Sequence, residues 1–273
     1  MALASDQGAR RLRLLSISSP WSDILKFFLV IAALTWLIYQ GTESLGYNWQ
    51  WHRVVRYLLS FEDGKLIFGP LIDGLMVTFR ICGWSLILAF VFGLVTALLR
   101  MSNSFVGNAV ARGYLELIRN TPLLVQLFFL YFVLAPLLGI GRFTSGVLAL
   151  SLFEGAYASE IFRAGIVSIE TGQWEAAHSL GLSGFLTYRH VILPQAIRRI
   201  LPPLTSQAVS LVKDSALVST IAIYDLTMQA QVVISETFLT FEVWFTVAAI
   251  YIVITTVLST IADIMAHRFK AAD

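Results

Sequence analysis

The chain has 273 residues, 57% of them hydrophobic and only 13% charged, with a formal net charge of +2. Water-soluble globular chains hold about 45–50% apolar and about 25% charged residues, so this composition is matched to lipid rather than to water. No basic run exceeds two adjacent residues, which speaks against nucleic-acid binding, and the single cysteine, Cys82, excludes an internal disulfide framework.

A helix needs roughly 20 apolar residues to cross the ~30 Å hydrocarbon core. Six segments qualify, which predicts an all-α integral membrane protein. The first, about Ile24–Tyr39, is short and is followed by aromatics and Gly41 rather than a small-residue cleavage site. Residues 1–41 are therefore expected to be a tail and a retained anchor helix. Residues 42–72 form an outer connecting segment that should lie along the membrane surface up to an elbow at Gly69–Pro70. From 73 to 273 the chain reads as one transmembrane domain, with spans near Met76–Leu99, Tyr114–Leu138, Ser145–Ala164, Ile200–Ala222 and Phe241–Met265. Trp21, Trp36, Tyr39, Trp49, Trp51 and Trp244 fall near the predicted ends, at headgroup level.

Lys and Arg set the orientation. With the N-terminus in the cytoplasm, the inner side holds Arg10, Arg11, Arg13, Lys26, Arg100, Arg112, Arg119, Arg163, Arg189, Arg198, Arg199, Arg268 and Lys270. The outer side then holds only Arg53, Arg56, Lys65 and Arg142. Both termini, and the long loop at about 165–199, are thus expected on the inner side.

That loop is patterned. Thr171 can cap a short helix over Gly172–Leu180, and Gly181 suits the left-handed position that ends one. Ala176 and Ala177 would give the helix a smooth side for close approach by another backbone. Glu175 lies where a carboxylate favours the helix N-terminal dipole. Pro194 suits the first turn of the next helix, since the amide it lacks would be unpaired anyway. An amphipathic helix sealing the membrane surface would account for these features equally well.

The stretch "EAAHSLGLSGFLTYRHVILPQA", residues 175–196, resembles the EAA loop of ABC importer permeases, with Glu175, Ala176, Ala177, Gly181, Leu193 and Pro194 at the family's spacing. "ELIRNTPLLVQLFFLYF", residues 116–132, is similar to a segment of the polar amino-acid uptake subfamily, as is "AYASEIFRAGIVSIETGQWEAA". "LVKDSALVS" departs from the subfamily's usual form at Ser215 and Ala216, where Thr and Ser are usual. The resemblance runs from about Gly74 to Phe269. It implies a five-helix permease core with an extra N-terminal helix, in a bacterial inner membrane. It also implies a coupling helix, here Glu175, Ala176, Ala177, Ser179, Leu180, Gly181 and Leu182, that fits a separate ATPase subunit. Two permease subunits, identical or paired with a sister chain, would form the pathway, and an extracytoplasmic binding protein would deliver the amino acid. The chain has no GxxxxGK-(S/T) phosphate loop, since Gly64–Lys65 is followed by leucine. It is therefore expected to be no enzyme and to need no cofactor of its own, with ATP and magnesium bound by the partner.

Ionisable groups at membrane depth cost roughly 2.5–3.5 kcal/mol and usually face a cavity or a partner. A pathway with both charge signs and several hydroxyls suits a zwitterion. The candidates are Thr121, Gln126, Glu154, Ser159, Glu160, Arg163, Lys213, Asp214 and Ser215. Glu160 and Arg163 share a helix face and read first as an ion pair at the inner surface, with a pathway role second. Lys213 with Asp214 reads equally as an internal pair or as part of the pathway. Glu154 has no obvious neighbour, which favours exposure to a cavity. Pro122 should start its helix and leave amides free to meet a carboxylate. Pro202–Pro203 should break or bend the fifth span. A different class, an ion-gradient carrier or channel with Glu154 or Glu160 carrying protons, needs no such loop. An intramembrane enzyme has no HExxH or sequence-adjacent nucleophile and base to support it.

Overall fold

The computed structural model describes residues 20–62 and 64–270. They divide into two compact units, Met1–Trp49 and Gln50–Asp273. The first contains one helix, α1 (Pro20–Leu45), whose large apolar side chains from Trp21 to Leu37, and Tyr39, are exposed. That is how a helix looks when lipid is meant to be its solvent.

The second unit opens with α2 (Trp51–Leu58) and an antiparallel hairpin of β1 (Leu59–Glu62) and β2 (Lys65–Phe68), with Leu59 opposite Phe68. This hairpin is the only β-structure among the described residues. There follow α3 (Pro70–Met101), α4 (Phe105–Arg119), α5 (Leu123–Leu138) and α6 (Arg142–Val167). Next come the short α7 (Thr171–Ser179) and then α8 (Gly184–Ile221), α9 (Leu226–Thr237) and α10 (Thr240–Lys270). By length and composition α1, α3 and α10 can cross a membrane, and up to five spans result if the bent pairs α4–α5 and α8–α9 each count as one.

The predicted third span, Tyr114–Leu138, is not one helix. α4 and α5 meet at 107°, and Pro122 sits outside α5 with ψ 140°, so α5 begins at Leu123. Proline cannot donate to the helical ladder and its ring disfavours helical conformation in the residue before it, which accords with the turn at Thr121–Pro122. The predicted fifth span is longer than expected. α8 starts at Gly184 and carries Pro202 and Pro203 inside an unbroken α-helical stretch, Leu193–Asp214, so the expected break is absent. The irregularity lies upstream, in a π-helical turn over Tyr188–Ile192 where the Leu193 N–H reaches the Tyr188 carbonyl. A second π turn, Phe129–Leu134, has the Ala135 N–H on the Leu130 carbonyl. In each case a proline follows, Pro194 or Pro136, and the widened turn absorbs the register fault that the missing amide creates.

The predicted fourth span is the centre of the unit. α6 is 26 residues long, about 39 Å at 1.5 Å per residue, yet it is not among the helices apolar enough to cross alone. Protein rather than lipid covers it. Ala149, Ala156 and Leu150 are fully buried, and α3 and α6 share the most extensive contact between elements among the described residues. The reason is small residues at the crossing: a Cβ added at Gly93 would lie 2.8 Å from the Ala158 Cβ and 3.1 Å from the Gly155 carbonyl. Membrane helices pack through such dispersion contacts, because lipid leaves no hydrophobic drive between them.

Gly93→Val should therefore force α3 off α6. The expected outcome is a loss of roughly 1–3 kcal/mol in thermal or denaturant unfolding of the detergent-solubilised protein, with Gly83→Val, where no atom lies within 4 Å, as the neutral control.

Candidate functional site

The loop between α6 and α8 is held rigidly by its own bundle. α7 ends in a Schellman motif: the Gly181 N–H bonds the His178 carbonyl at 2.9 Å and the Leu182 N–H bonds the Ala177 carbonyl at 3.1 Å. Gly181 has φ +71°, the left-handed conformation expected for it. The helix start differs by one residue, since Glu170 rather than Thr171 is the N-cap and makes no side-chain cap bond. Glu175 consequently sits in the second turn, beyond the strongest part of the dipole.

The two alanines part company. Ala177 is buried at 2% exposure while Ala176 faces outward, as the ~100° step between adjacent helical residues requires. The smooth side expected of both belongs to Ala176 alone. Ala177 and Trp174 form the inward face, with Trp174 edge-on to Tyr188 at 5.1 Å between centroids. Gln195 reaches Gln173 at 3.2 Å, and Arg199 donates to the Ser168 carbonyl at 2.5 Å, fastening the loop to α8. Glu175, Ala176, Ser179, Leu180 and Gly181 remain exposed, Leu180 to 80%, and Leu182 is half-buried. A further apolar ring, Phe185, stands 71% exposed beside them and was not singled out in the sequence.

Glu160 and Arg163 do pair, at 3.0 Å, but within a larger knot. Arg100 from the end of α3 binds the other oxygen of Glu160, and Arg119 from the end of α4 lies 3.6 Å from it, with its guanidinium over the Tyr157 ring. One carboxylate thus ties three helices. Arg100 and Arg119 were missed as partners because they are 60 and 41 positions away, a separation that no helical spacing rule covers.

Glu154 is 2% exposed. Its Oε2 accepts from Gln207 Nε2 at 2.5 Å, and its Oε1 is buried without a partner among the described residues. It borders a cavity of about 420 Å³ between α3, α6 and α8. Lys213 and Asp214 form no ion pair with each other among the described contacts. Lys213 is exposed. Ser159 and Ser215 are buried and spend their hydroxyls on the carbonyls of Ala156 and Val212, both at 2.8 Å. Thr121 and Gln126 close the α4–α5 corner: the Gln126 amide donates to Thr121 Oγ1, the Thr121 carbonyl and the Ile118 carbonyl at 2.7–2.9 Å. Gln207, the lone amide within the predicted fifth span, was the legible signal for a partner of Glu154.

Residues 89–271 match the family model described as the binding-protein-dependent transport system inner membrane component. The chain belongs to that family. The glutamine transport system permease protein GlnP of Escherichia coli K12 is 40% identical over 203 residues, covering 73% of this chain and 93% of that protein. The putative glutamine transport system permease of Rickettsia typhi is 36% identical over 217 residues, covering 79% and 98%. A chain of a crystallised amino acid ABC transporter with histidines superposes with a TM-score of 0.73 at 38% identity, covering 81% of this chain and all of that one. A chain of the MetNI methionine ABC transporter, at 20% identity and a TM-score of 0.61, shares the fold. This chain is therefore the membrane-embedded permease component of an amino acid ABC importer.

Removing the charge at Glu160 leaves three guanidinium groups converging on a neutral amide. Glu160→Gln should cost about 1–3 kcal/mol in unfolding of the solubilised protein, and Glu160→Asp less, since hydrogen bonds to charged groups are worth about that much.

Proposed function

We propose that this chain forms half of the pathway of an ATP-driven importer for polar amino acids and receives the force of ATP hydrolysis through α7. The observation that carries the coupling reading is the two-sidedness of that helix. Its inner face, Trp174 and Ala177, is packed on its own bundle, while Glu175, Ala176, Ser179, Leu180, Gly181 and Leu182 line a side that this chain leaves largely uncovered. A rod fastened on one side and bare on the other transmits a push from whatever covers the bare side.

The partners that fit are two ATPase subunits holding ATP and magnesium, a second permease subunit, and an extracytoplasmic binding protein that loads the amino acid. The excess of arginine and lysine on the side of the loop puts α7 and both termini in the cytoplasm. The exposed apolar faces of α1, α3 and α10 meet lipid. Cargo recognition falls to the polar groups of the core, chiefly Glu154 with Gln207 and Asp214, while Glu160 and Arg163 hold the inner ends of the helices together. The names of the relatives, glutamine permeases and an amino acid transporter, support the polar amino-acid class. An ion-gradient carrier with Glu160 as proton carrier has little room, because that carboxylate is held by arginines on three sides.

The reading separates two neighbouring substitutions. Ala176→Trp should leave the permease folded and inserted but lose co-purification of the ATPase subunits and abolish uptake. Ala177→Trp should instead lower the amount of folded protein in the membrane. Equal behaviour of the two, measured by membrane immunoblot, pull-down and uptake of labelled amino acid, would refute the two-sided arrangement. A bulky residue at Gly181 meets no atom within 4 Å, so its cost is backbone strain of about 1–2 kcal/mol in the Schellman turn. Gly181→Val should accordingly uncouple ATPase activity from transport with the permease still inserted.

A further inference from the structure

We infer that the basic groove along α4 binds the phosphate of an anionic phospholipid of the inner leaflet, a ligand distinct from the transported cargo. The groove, about 370 Å³, lies between the end of α3, the second half of α4 and the C-terminal half of α6. Arg100, Arg112 and Arg119 line it, with Glu116 and Glu160 as its acids. Three guanidinium groups against two carboxylates leave one positive charge over, and Arg163, paired with Glu160 from the same helix, raises the excess to two.

The acids of the groove are already engaged. Glu160 gives one oxygen to Arg163 and the other to Arg100, so Arg119 reaches it only at 3.6 Å. Glu116 accepts from the Asn120 side-chain amide at 2.8 Å. Arg112 has no ion pair among the described residues. Both free-standing cations are open to a ligand, since the Arg119 side chain is 48% exposed and Arg112 is exposed as well. Two planar guanidinium forks on one groove suit phosphate oxygens, which they bind through paired hydrogen bonds.

The helix itself says what kind of anion fits. α4 buries Gly107, Ala111, Leu115 and Ile118 against the bundle and turns Arg112, Glu116 and Arg119 to the groove. Its third face is apolar and uncovered by this chain, with Val106, Val110 and Leu117 exposed. A free phosphate ion would use the charged face alone. An amphiphile uses both, its phosphate in the groove and its chains along the apolar stripe. Arg100 closes α3 and α4 begins four residues later, on the side richest in arginine and lysine, which puts the groove at the inner headgroup level. Basic pockets between membrane helices on that side bind acidic lipid headgroups. The surplus charge also chooses among lipids: a zwitterionic headgroup brings its own ammonium to a site with cations in excess, and an anionic one does not.

The test is native mass spectrometry of the purified permease–ATPase complex given equal amounts of phosphatidylglycerol and phosphatidylcholine, with millimolar inorganic phosphate added in a second arm. The complex should retain phosphatidylglycerol in preference, and phosphate should not displace it. Arg112→Gln should lower that retention about fivefold, the weight of one arginine at an anionic headgroup. Arg112→Lys should keep most of it, and Lys65→Gln, exposed on the hairpin, should change nothing. Equal retention of the two lipids, or an Arg112→Gln complex that holds its phosphatidylglycerol as before, overturns the inference. Displacement of the lipid by phosphate reveals a free-anion site and overturns it too. So does a photo-crosslinker on Arg112→Cys that captures a neighbouring chain instead of lipid, because protein then covers the groove. Should Arg112→Gln fail to assemble, the wild-type preference between the lipids alone decides. The importer reading stands through all of these outcomes and falls only if proteoliposomes supplied with ATP and binding protein take up no amino acid.

Discussion

Hydrocarbon offers no hydrogen bonds, so each polar group at membrane depth has to be answered by protein. In this chain that demand centres on α6. Its serines at 145, 151 and 159 return their hydroxyls to the helix's own carbonyls, Glu154 is met by Gln207, and Glu160 is met by arginines from α3, α4 and α6 itself. A helix so polar can sit at the centre only because other helices shield it. That in turn requires the small residues Gly93, Gly155 and Ala158, which let α3 lie against it. The lipid-facing helices carry fewer such groups, and those they bury are likewise answered, as Glu242 of α10 is by the Gln50 amide and Thr78 of α3 is by the Leu226 amide.

The rest of the architecture follows from how the chain manages proline in this setting. A missing amide in water is satisfied by solvent, whereas in a bundle the backbone must change register. Here Pro122 turns the chain through a sharp corner that Gln126 then staples, and Pro136 and Pro194 follow π turns that take up one residue each. Pro202 and Pro203 lie within a helix that continues through them. The cavity beside the buried Glu154 lies between the long helices α3, α6 and α8.

The loop obeys different physics. It combines local rules, a glycine cap and a helix of small and polar residues, with a single line of tertiary fastening through Trp174, Ala177, Gln195 and Arg199. Local rules make α7 a rod. Fastening makes it a rod attached to α8, the helix that also carries Gln207 to Glu154. On the coupling role proposed for α7, a displacement applied to its bare side would reach the helix that borders the Glu154 cavity through packed elements.

Much of this was legible without coordinates. Composition and apolar runs identified a helical membrane protein, because the solvent a surface faces is written in its side chains. The left-handed Gly181 and the existence of a short helix before it follow from backbone chemistry confined to a few neighbouring residues. The Glu160–Arg163 pair follows from helical spacing. What no local rule could supply is the outcome of packing. Whether Ala176 or Ala177 faces outward, which distant arginines gather on Glu160, and that Gln207 answers only half of Glu154 all depend on how helices far apart in sequence are rotated against one another. Rotation and depth are settled by close contact between helices, and that is information that exists only once the chain has folded.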